Sequence, residues 1–194
     1  MQHDPTRMRQ EINKCSDHKG FVLWFSGLSG SGKSTLASAV EERLCQFGCK
    51  VSILDGDMVR QGLCSDLGFT DNDRKENIRR VGEVSKLLVD SGLVVLATFI
   101  SPFADSRKKV RDLFSCGDYL EIYVYCPMDI CEKRDVKGLY GKARQGNIKY
   151  FTGIESPYEP PVDPELTIYT DSQPLDLSVE LVINLIKRRG LIVN

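Results

Sequence analysis

Gly27-Leu28-Ser29-Gly30-Ser31-Gly32-Lys33-Ser34, entered directly from the apolar run Phe21-Val22-Leu23-Trp24-Phe25, decides the fold of this chain. The stretch satisfies G-x-x-x-x-G-K-[ST], the loop that cradles the phosphates of a nucleoside triphosphate. Its glycines allow unusual backbone angles, so that successive N–H groups can converge on an anion. Lys33 is then placed to reach the β- and γ-phosphates, and the Ser34 hydroxyl to ligate Mg²⁺. The following segment puts Leu36, Val40 and Leu44 on one helical face, which sets the positive end of a helix dipole beneath the phosphates. Strand, loop and helix therefore agree on a P-loop NTPase.

Outward from this loop the chain alternates strand and helix. Val51–Leu54, residues 93–100 and residues 119–126 read as strands, and residues 166–170 as a last one. Helices are expected from Thr70, over 104–114, briefly from Pro127, and over 177–188, with Thr70 and Asp73 forming a capping box. Continuous apolar strands separated by helices imply an α/β fold with a parallel β-sheet flanked by helices. A Gly/Lys/Arg-rich stretch over 136–153 shows little apolar periodicity. The expected organisation is an N-terminal arm over 1–20 and one kinase domain over 21–194.

Composition narrows the class further. A chain of 194 residues with 41% hydrophobic content suits a single α/β core. A formal net charge of -1, with no basic tail beyond Lys187-Arg188-Arg189, argues against a general nucleic-acid binder. No apolar run reaches the length of a membrane span, and the N-terminal segment lacks the apolar core of a signal peptide, so a cytoplasmic protein is expected. The seven cysteines are odd in number and contain no C-x-x-C pair, which indicates neither a disulfide framework nor a zinc site. Cys15 and Cys49 look least like core thiols and are the pair to which a redox role could attach. His3 and His18 precede the first strand and are expected to be solvated, leaving proton chemistry to carboxylates.

In a parallel sheet of this kind ligands sit beyond the carboxyl ends of the strands. There the sequence places Asp55-Gly56-Asp57 with Arg60, then Ile100-Ser101-Pro102-Phe103, then Cys126-Pro127. A carboxylate pair facing the phosphate loop can bind Mg²⁺ through water or accept a proton from an attacking hydroxyl. Asp57 is the candidate base.

The ordered set GLSGSGKST, LDGDMVRQGL, DLGFTDNDRKENIRR, ATFISPF, DVKGLYGKAR and FTGIESPYEPP resembles the adenylyl-sulfate kinase (APS kinase) family. That family uses ATP to phosphorylate the 3′-hydroxyl of adenosine 5′-phosphosulfate. The resemblance implies that Gly27, Leu28, Ser29, Gly30, Ser31, Gly32, Lys33, Ser34 and Thr35 bind ATP with Mg²⁺, the metal on Ser34. It also implies a mobile lid over 136–153, from which Arg144 approaches ATP and Lys137 the sulfonucleotide. Asp57, Arg60, Arg74, Asn77, Ile100, Ser101 and Thr152 match substrate-binding positions, and Phe69 and Phe151 the two rings that sandwich the adenine. Guanidinium forks suit tetrahedral oxyanions, and flat rings suit a base. With Lys33 and Asp57, Ser101 completes the implied catalytic set. The family's traditional phosphoserine label falls on Ser101, yet direct in-line transfer needs no second nucleophile and no histidine stands beside it. A homodimer, and functional association with an ATP sulfurylase, are implied in the same way. Gly141 departs from the pattern, where relatives often carry a basic residue.

Three other readings fit parts of the pattern. Another small-molecule P-loop kinase, of the gluconate, shikimate or nucleoside monophosphate type, would share the loop and the carboxylate pair. It leaves the two arginines and two phenylalanines unexplained. Asp135-Val136-Lys137-Gly138 formally fits the D-x-x-G of a GTPase, but no N-K-x-D follows the loop. A nucleotide-binding sensor without catalysis is opposed by the presence of both Lys33 and Asp57.

Overall fold

The computed structural model describes residues 18–192, so His3, Cys15 and the arm before His18 lie outside the described residues. Strand β1, Phe21–Ser26, is buried along its whole length and lies at the centre of the sheet. It is flanked by β3, Val94–Thr98, and β4, Tyr119–Tyr125; β2, Val51–Asp55, and β5, Leu166–Tyr169, form the edges. All pairings are parallel, with Leu23 opposite both Leu96 and Leu120.

Side chains alternate across a strand, and β1 therefore feeds two cores. Phe21, Leu23 and Phe25 meet Leu36, Val40 and Leu44 of helix α1, Lys33–Gln46. Val182 and Ile186 of α7, Leu175–Arg188, close the same layer. On the opposite face Val22 and Trp24 pack with Ile78 and Val81 of α3, Asp71–Asp90, and with Val110 of α4, Ala104–Arg111. Each such side chain, fully buried, contributes about 1.5–3 kcal/mol. Helices α3 and α4 approach so closely that a Cβ on Gly82 would stand 2.9 Å from Val110 Cγ2.

The expected parallel sheet and the Thr70–Asp73 capping box are both present. Three short helices refine the sequence reading: α2, Gly56–Gln61, follows β2 without a gap, α5 spans Met128–Arg134, and α6, Leu139–Arg144, lies inside the stretch expected to lack periodicity. Only two side chains of α6, Tyr140 and Ala143, are buried, too few for a helical period to stand out.

Two further expectations are corrected. His18 is buried rather than solvated, its Nε2 accepting from Lys50 N at 3.1 Å and its Nδ1 lying 3.0 Å from Lys19 O. The imidazole is thus a strut between the chain segments at Lys19 and Lys50. Cys49 belongs to the core, where burial pushes its thiol up to about 11. Such a thiol holds little thiolate at neutral pH, which removes the ground for a redox role at this position.

The capping box starts the helix that carries Arg74 and Asn77. Thr70→Ala is expected to lower stability by about 1 kcal/mol without altering the sheet, as read by urea denaturation with circular dichroism.

Candidate active site

The phosphate loop leaves β1 through backbone that only glycine tolerates. Gly27 has φ 147°, and a Cβ there would lie 2.4 Å from Val124 O. Gly32 adopts φ 95° at the threshold of α1. Thr170, just beyond β5, fastens the loop by donating from Oγ1 to Ser31 O at 2.8 Å. Lys33 folds back along the loop, donating to Gly27 O at 3.0 Å and Leu28 O at 2.6 Å. Its burial depresses the ammonium pKa to about 8, with Cys131, Asp55 and Asp57 partly opposing the shift.

Asp55 is the first point of contact between β2 and this loop. Its Oδ2 accepts from Ser34 Oγ at 2.9 Å and Thr98 Oγ1 at 2.8 Å, while Oδ1 accepts from Asp57 N at 2.9 Å. Burial works against the carboxylate, but these three hydrogen bonds outweigh it and hold the pKa below the ordinary value. Asp57, the second carboxylate, is exposed beside them and forms an ion pair with Lys137.

A cavity of about 790 Å³ runs from the phosphate loop to α2 and the first two turns of α3. Asp57, Arg60, Phe69, Arg74, Asn77, Ile100, Ser101, Lys137, Phe151 and Thr152 all line it, so the structure brings the whole expected substrate set to one cavity. The Arg60 guanidinium lies 4.3 Å from the Phe69 ring centroid and donates to Gly68 O at 2.9 Å. Arg74 spans the pocket's two aromatic segments, donating to Phe69 O at 3.0 Å and Tyr150 O at 2.7 Å. Phe69 is 50% exposed at the cavity wall. Phe151 is buried against Tyr140 at a centroid distance of 5.0 Å and presents only part of its ring. Asn77 Oδ1 and Thr152 Oγ1 are buried on the cavity wall with no hydrogen-bond partner among the described residues. Buried polar atoms are rarely left so, and a ligand is the natural partner.

Other expected residues are placed differently. Gly27, Leu28 and Ser31 build the loop without lining the cavity, whereas Ser29, Gly30, Gly32, Lys33, Ser34 and Thr35 line it. Arg144 is not in the wall; it is bound to Glu132 through Nε at 3.0 Å and Nη2 at 3.1 Å. Arg134, one helix earlier, lines the cavity instead, held by Thr170 O at 2.7 Å. Ser101 is 1% exposed, and its hydroxyl accepts from Trp24 Nε1 at 2.9 Å with no base among its hydrogen-bond partners. Arg134, Thr98, Thr170 and Gln173 escaped the sequence reading. Thr170 and Gln173 follow β5 as the other site residues follow their strands, and that rule would have found them.

The segment expected to close over the site is itself structured. Asp135 accepts from Tyr140 N and Gly141 N, both at 3.0 Å, and so starts α6; Tyr140 Oη then donates to Ser29 O at 2.9 Å. A residue at 141 contributes only its N–H to this junction, so the glycine there costs the segment no contact.

Comparison with known proteins places these features in one group. A family model described as adenylylsulphate kinase matches residues 19–169. An adenylyl-sulfate kinase of Geotalea daltonii is 53% identical over 190 residues, covering 98% of this chain and 94% of its own. Among solved structures, the Mycobacterium tuberculosis APS kinase CysC in complex with AMPPNP and APS aligns with a TM-score of 0.84 and 44% identity, over 88% of this chain and 99% of that one. A hexameric APS kinase from Thiobacillus denitrificans aligns with a TM-score of 0.71 and 30% identity, over 95% of this chain and 32% of that one.

Because Asp135 supplies the acceptors at the start of α6, Asp135→Ala is expected to speed amide exchange over residues 138–146 about tenfold, the equivalent of a lost cap. Hydrogen–deuterium exchange mass spectrometry reads this directly, with β1 and β3 unchanged as the internal reference.

Proposed function

The chain belongs to the adenylyl-sulfate kinase family, and on that premise we propose that it transfers the γ-phosphate of ATP to the 3′-hydroxyl of adenosine 5′-phosphosulfate, giving PAPS and ADP. The observation that carries the reading is the pair of buried, unpartnered acceptors, Asn77 Oδ1 and Thr152 Oγ1, beside Phe69 and opposite the phosphate loop across one cavity. A nucleoside satisfies these polar atoms and also stacks its base on the exposed Phe69 ring, which a sugar acid or a shikimate has no flat aromatic face to use.

In this reading Lys33 exchanges the carbonyls of Gly27 and Leu28 for the β- and γ-phosphates. Arg134, Thr170 and Gln173 flank the nucleoside end of ATP, taking the place assigned on sequence to Arg144. Arg60 and Lys137 supply positive charge to the phosphosulfate, and Arg74 keeps the segments bearing Phe69 and Phe151 in register. Asp57 parts from Lys137 and accepts the 3′-hydroxyl proton as the O3′–Pγ bond forms and the bond from Pγ to the β-phosphate oxygen breaks. Ser101 takes no covalent part, because its hydroxyl is buried and has no base among its hydrogen-bond partners to activate it. Its place is to shape the wall on which the sulfonucleotide rests.

The donor set at the phosphate loop fits Mg²⁺: Ser34 supplies a hydroxyl oxygen and Asp55 stands behind it as a hydrogen-bonded carboxylate, both hard oxygen donors. Bound there, the metal would neutralise charge on the β- and γ-phosphates. The proposal extends to residues 21–194 acting as one kinase domain with 136–153 as its lid. It also includes self-assembly, supported by the hexameric state of the Thiobacillus denitrificans relative, with a homodimer as the simplest form and an ATP sulfurylase as a functional neighbour. A cytoplasmic site of action is part of the same proposal; among the described residues no helix is long and apolar enough to cross a membrane.

A coupled assay of ADP release tests the assignment across adenosine 5′-phosphosulfate, AMP, gluconate and shikimate. Turnover is expected with the first alone, and Asp57→Asn is expected to reduce kcat by about 10²–10⁴-fold with the fold retained. Tight ATP binding without turnover of the sulfonucleotide at saturating Mg²⁺ would place the protein among the non-catalytic sensors.

The depressed pKa of Lys33 carries its own consequence. Its folded value of about 8 lies below the ordinary 10.5, so burying the ammonium costs stability below pH 8, and that cost fades as pH rises from 8 toward 10.5. A polyanion favours the charged form, so ATP binding at pH 9 is expected to take up a proton, and at pH 6.5 to take up none at this group. Calorimetry in buffers of different ionisation enthalpy measures the uptake. A binding enthalpy independent of buffer at pH 9 would contradict it.

A further inference from the structure

We infer that Arg107 is a positioning residue for the sulfonucleotide, acting through the loop that carries Ile100 and Ser101; the inference rests on the function proposed above. Ser101 adopts φ 47°, a left-handed conformation that an L side chain holds only when its surroundings enforce it. Three groups do so. Trp24 Nε1 donates to the Ser101 hydroxyl at 2.9 Å, Arg107 Nη1 donates to its carbonyl at 2.6 Å, and Gly27 N donates to the neighbouring Ile100 O at 3.4 Å.

The same guanidinium reaches a second segment. Arg107 Nη2 donates to Glu159 O at 2.8 Å, Glu159 N donates to Pro102 O at 2.8 Å, and the Glu159 carboxylate accepts from Ala104 N at 2.7 Å. One side chain thus pins both strands of a clamp around residues 101–104. Arg107 is itself fixed from behind: it is 4% exposed, and its Nε lies 3.0 Å from Glu121 Oε1. Glu121 also accepts from Ser26 Oγ at 3.2 Å, and Ser26 is the residue directly before the phosphate loop. The root of the phosphate loop, Ser26-Gly27, and the cavity wall at Ile100-Ser101 therefore share one buried ion pair. A planar fork with several donors in fixed directions can serve all three acceptors at once, and a lysine cannot. Arg107 does not line the cavity, so its effect on a ligand must pass through the loop.

The test is steady-state kinetics of the full chain with the two substrates varied separately. Arg107→Lys keeps a charge beside Glu121 but loses the fork. It is expected to raise KM for adenosine 5′-phosphosulfate about tenfold and to change KM for ATP less than about twofold, in line with the cost of slightly misplacing a binding group. Glycine takes positive φ freely, so adding Ser101→Gly to Arg107→Lys is expected to recover part of the rise, a coupling that general destabilisation would not produce. Arg111→Lys is the comparison: Arg111 approaches Glu121 at 3.6 Å but is bound to Glu165, away from the loop. It is expected to lower Tm and leave both KM values in place. Glu159→Ala, at an exposed position, tests the clamp if Arg107→Lys does not fold, with an expected rise of about threefold in KM for the sulfonucleotide alone. Equal changes in both KM values, or an unchanged KM for the sulfonucleotide, would overturn the positioning role while leaving the proposed function standing. A wild-type chain that does not turn over the sulfonucleotide would overturn both.

Discussion

The burial of β1 on both faces is the constraint from which the site follows. A strand that must hide Phe21, Leu23 and Phe25 on one side and Val22 and Trp24 on the other requires parallel neighbours and a helical layer on each face. Parallel neighbours bring the carboxyl ends of β1, β2 and β3 to one edge. The phosphate loop, the Asp55–Asp57 turn and the Ile100–Pro102 loop meet there because hydrophobic burial leaves them no other place. Trp24 joins the two scales: its ring packs between Phe99 and Tyr119 in the core, and its indole N–H holds Ser101 at the rim.

Much of this was legible in the chain, for identifiable reasons. The phosphate loop, the parallel sheet and the long helix beginning at Thr70 announce themselves through strong local rules: glycine spacing, continuous apolar runs and a capping box. The short helices do not. Gly56–Gln61 and Leu139–Arg144 span less than two turns and bury one or two side chains each, so no apolar period can develop. The exchange of Arg144 for Arg134 has a similar origin. Both are arginines at the end of short helices, and only the tertiary arrangement shows that Glu132 neutralises the first while Thr170 draws the second to the cavity. His18 and Cys49 were misjudged because polar neighbours in sequence are not neighbours in space.

Two non-glycine residues held in the left-handed region, Ser101 at φ 47° and Tyr150 at φ 59°, share a device. Each has its carbonyl gripped by a guanidinium, from Arg107 and Arg74 respectively. Each also adjoins a wall of the cavity, Ser101 within it and Tyr150 beside Phe151. Backbone conformations of this kind cost about 1–3 kcal/mol and persist only where other contacts over-determine them. That they occur at the site, and that both are held by charged donors, is consistent with stability elsewhere supporting a preorganised pocket.

The partners chosen by the cations sharpen this point. Arg79, Arg80 and Arg144, on the outer surface, are matched by the carboxylates of Glu76, Asp66 and Glu132, which cancel their charge. Around the cavity Lys137 pairs with Asp57, but the more deeply set Lys33, Arg60 and Arg74 instead donate to backbone carbonyls. A carbonyl satisfies a donor's hydrogen bond without neutralising it, so the positive charge remains in place and partly desolvated. Burial accordingly lowers the pKa of Arg60 and Arg74 as it does that of Lys33. The cavity therefore carries an electrostatic cost that a polyanion relieves. A carboxylate in the same positions would have removed that cost in advance, and with it much of the pocket's attraction for anions over neutral ligands.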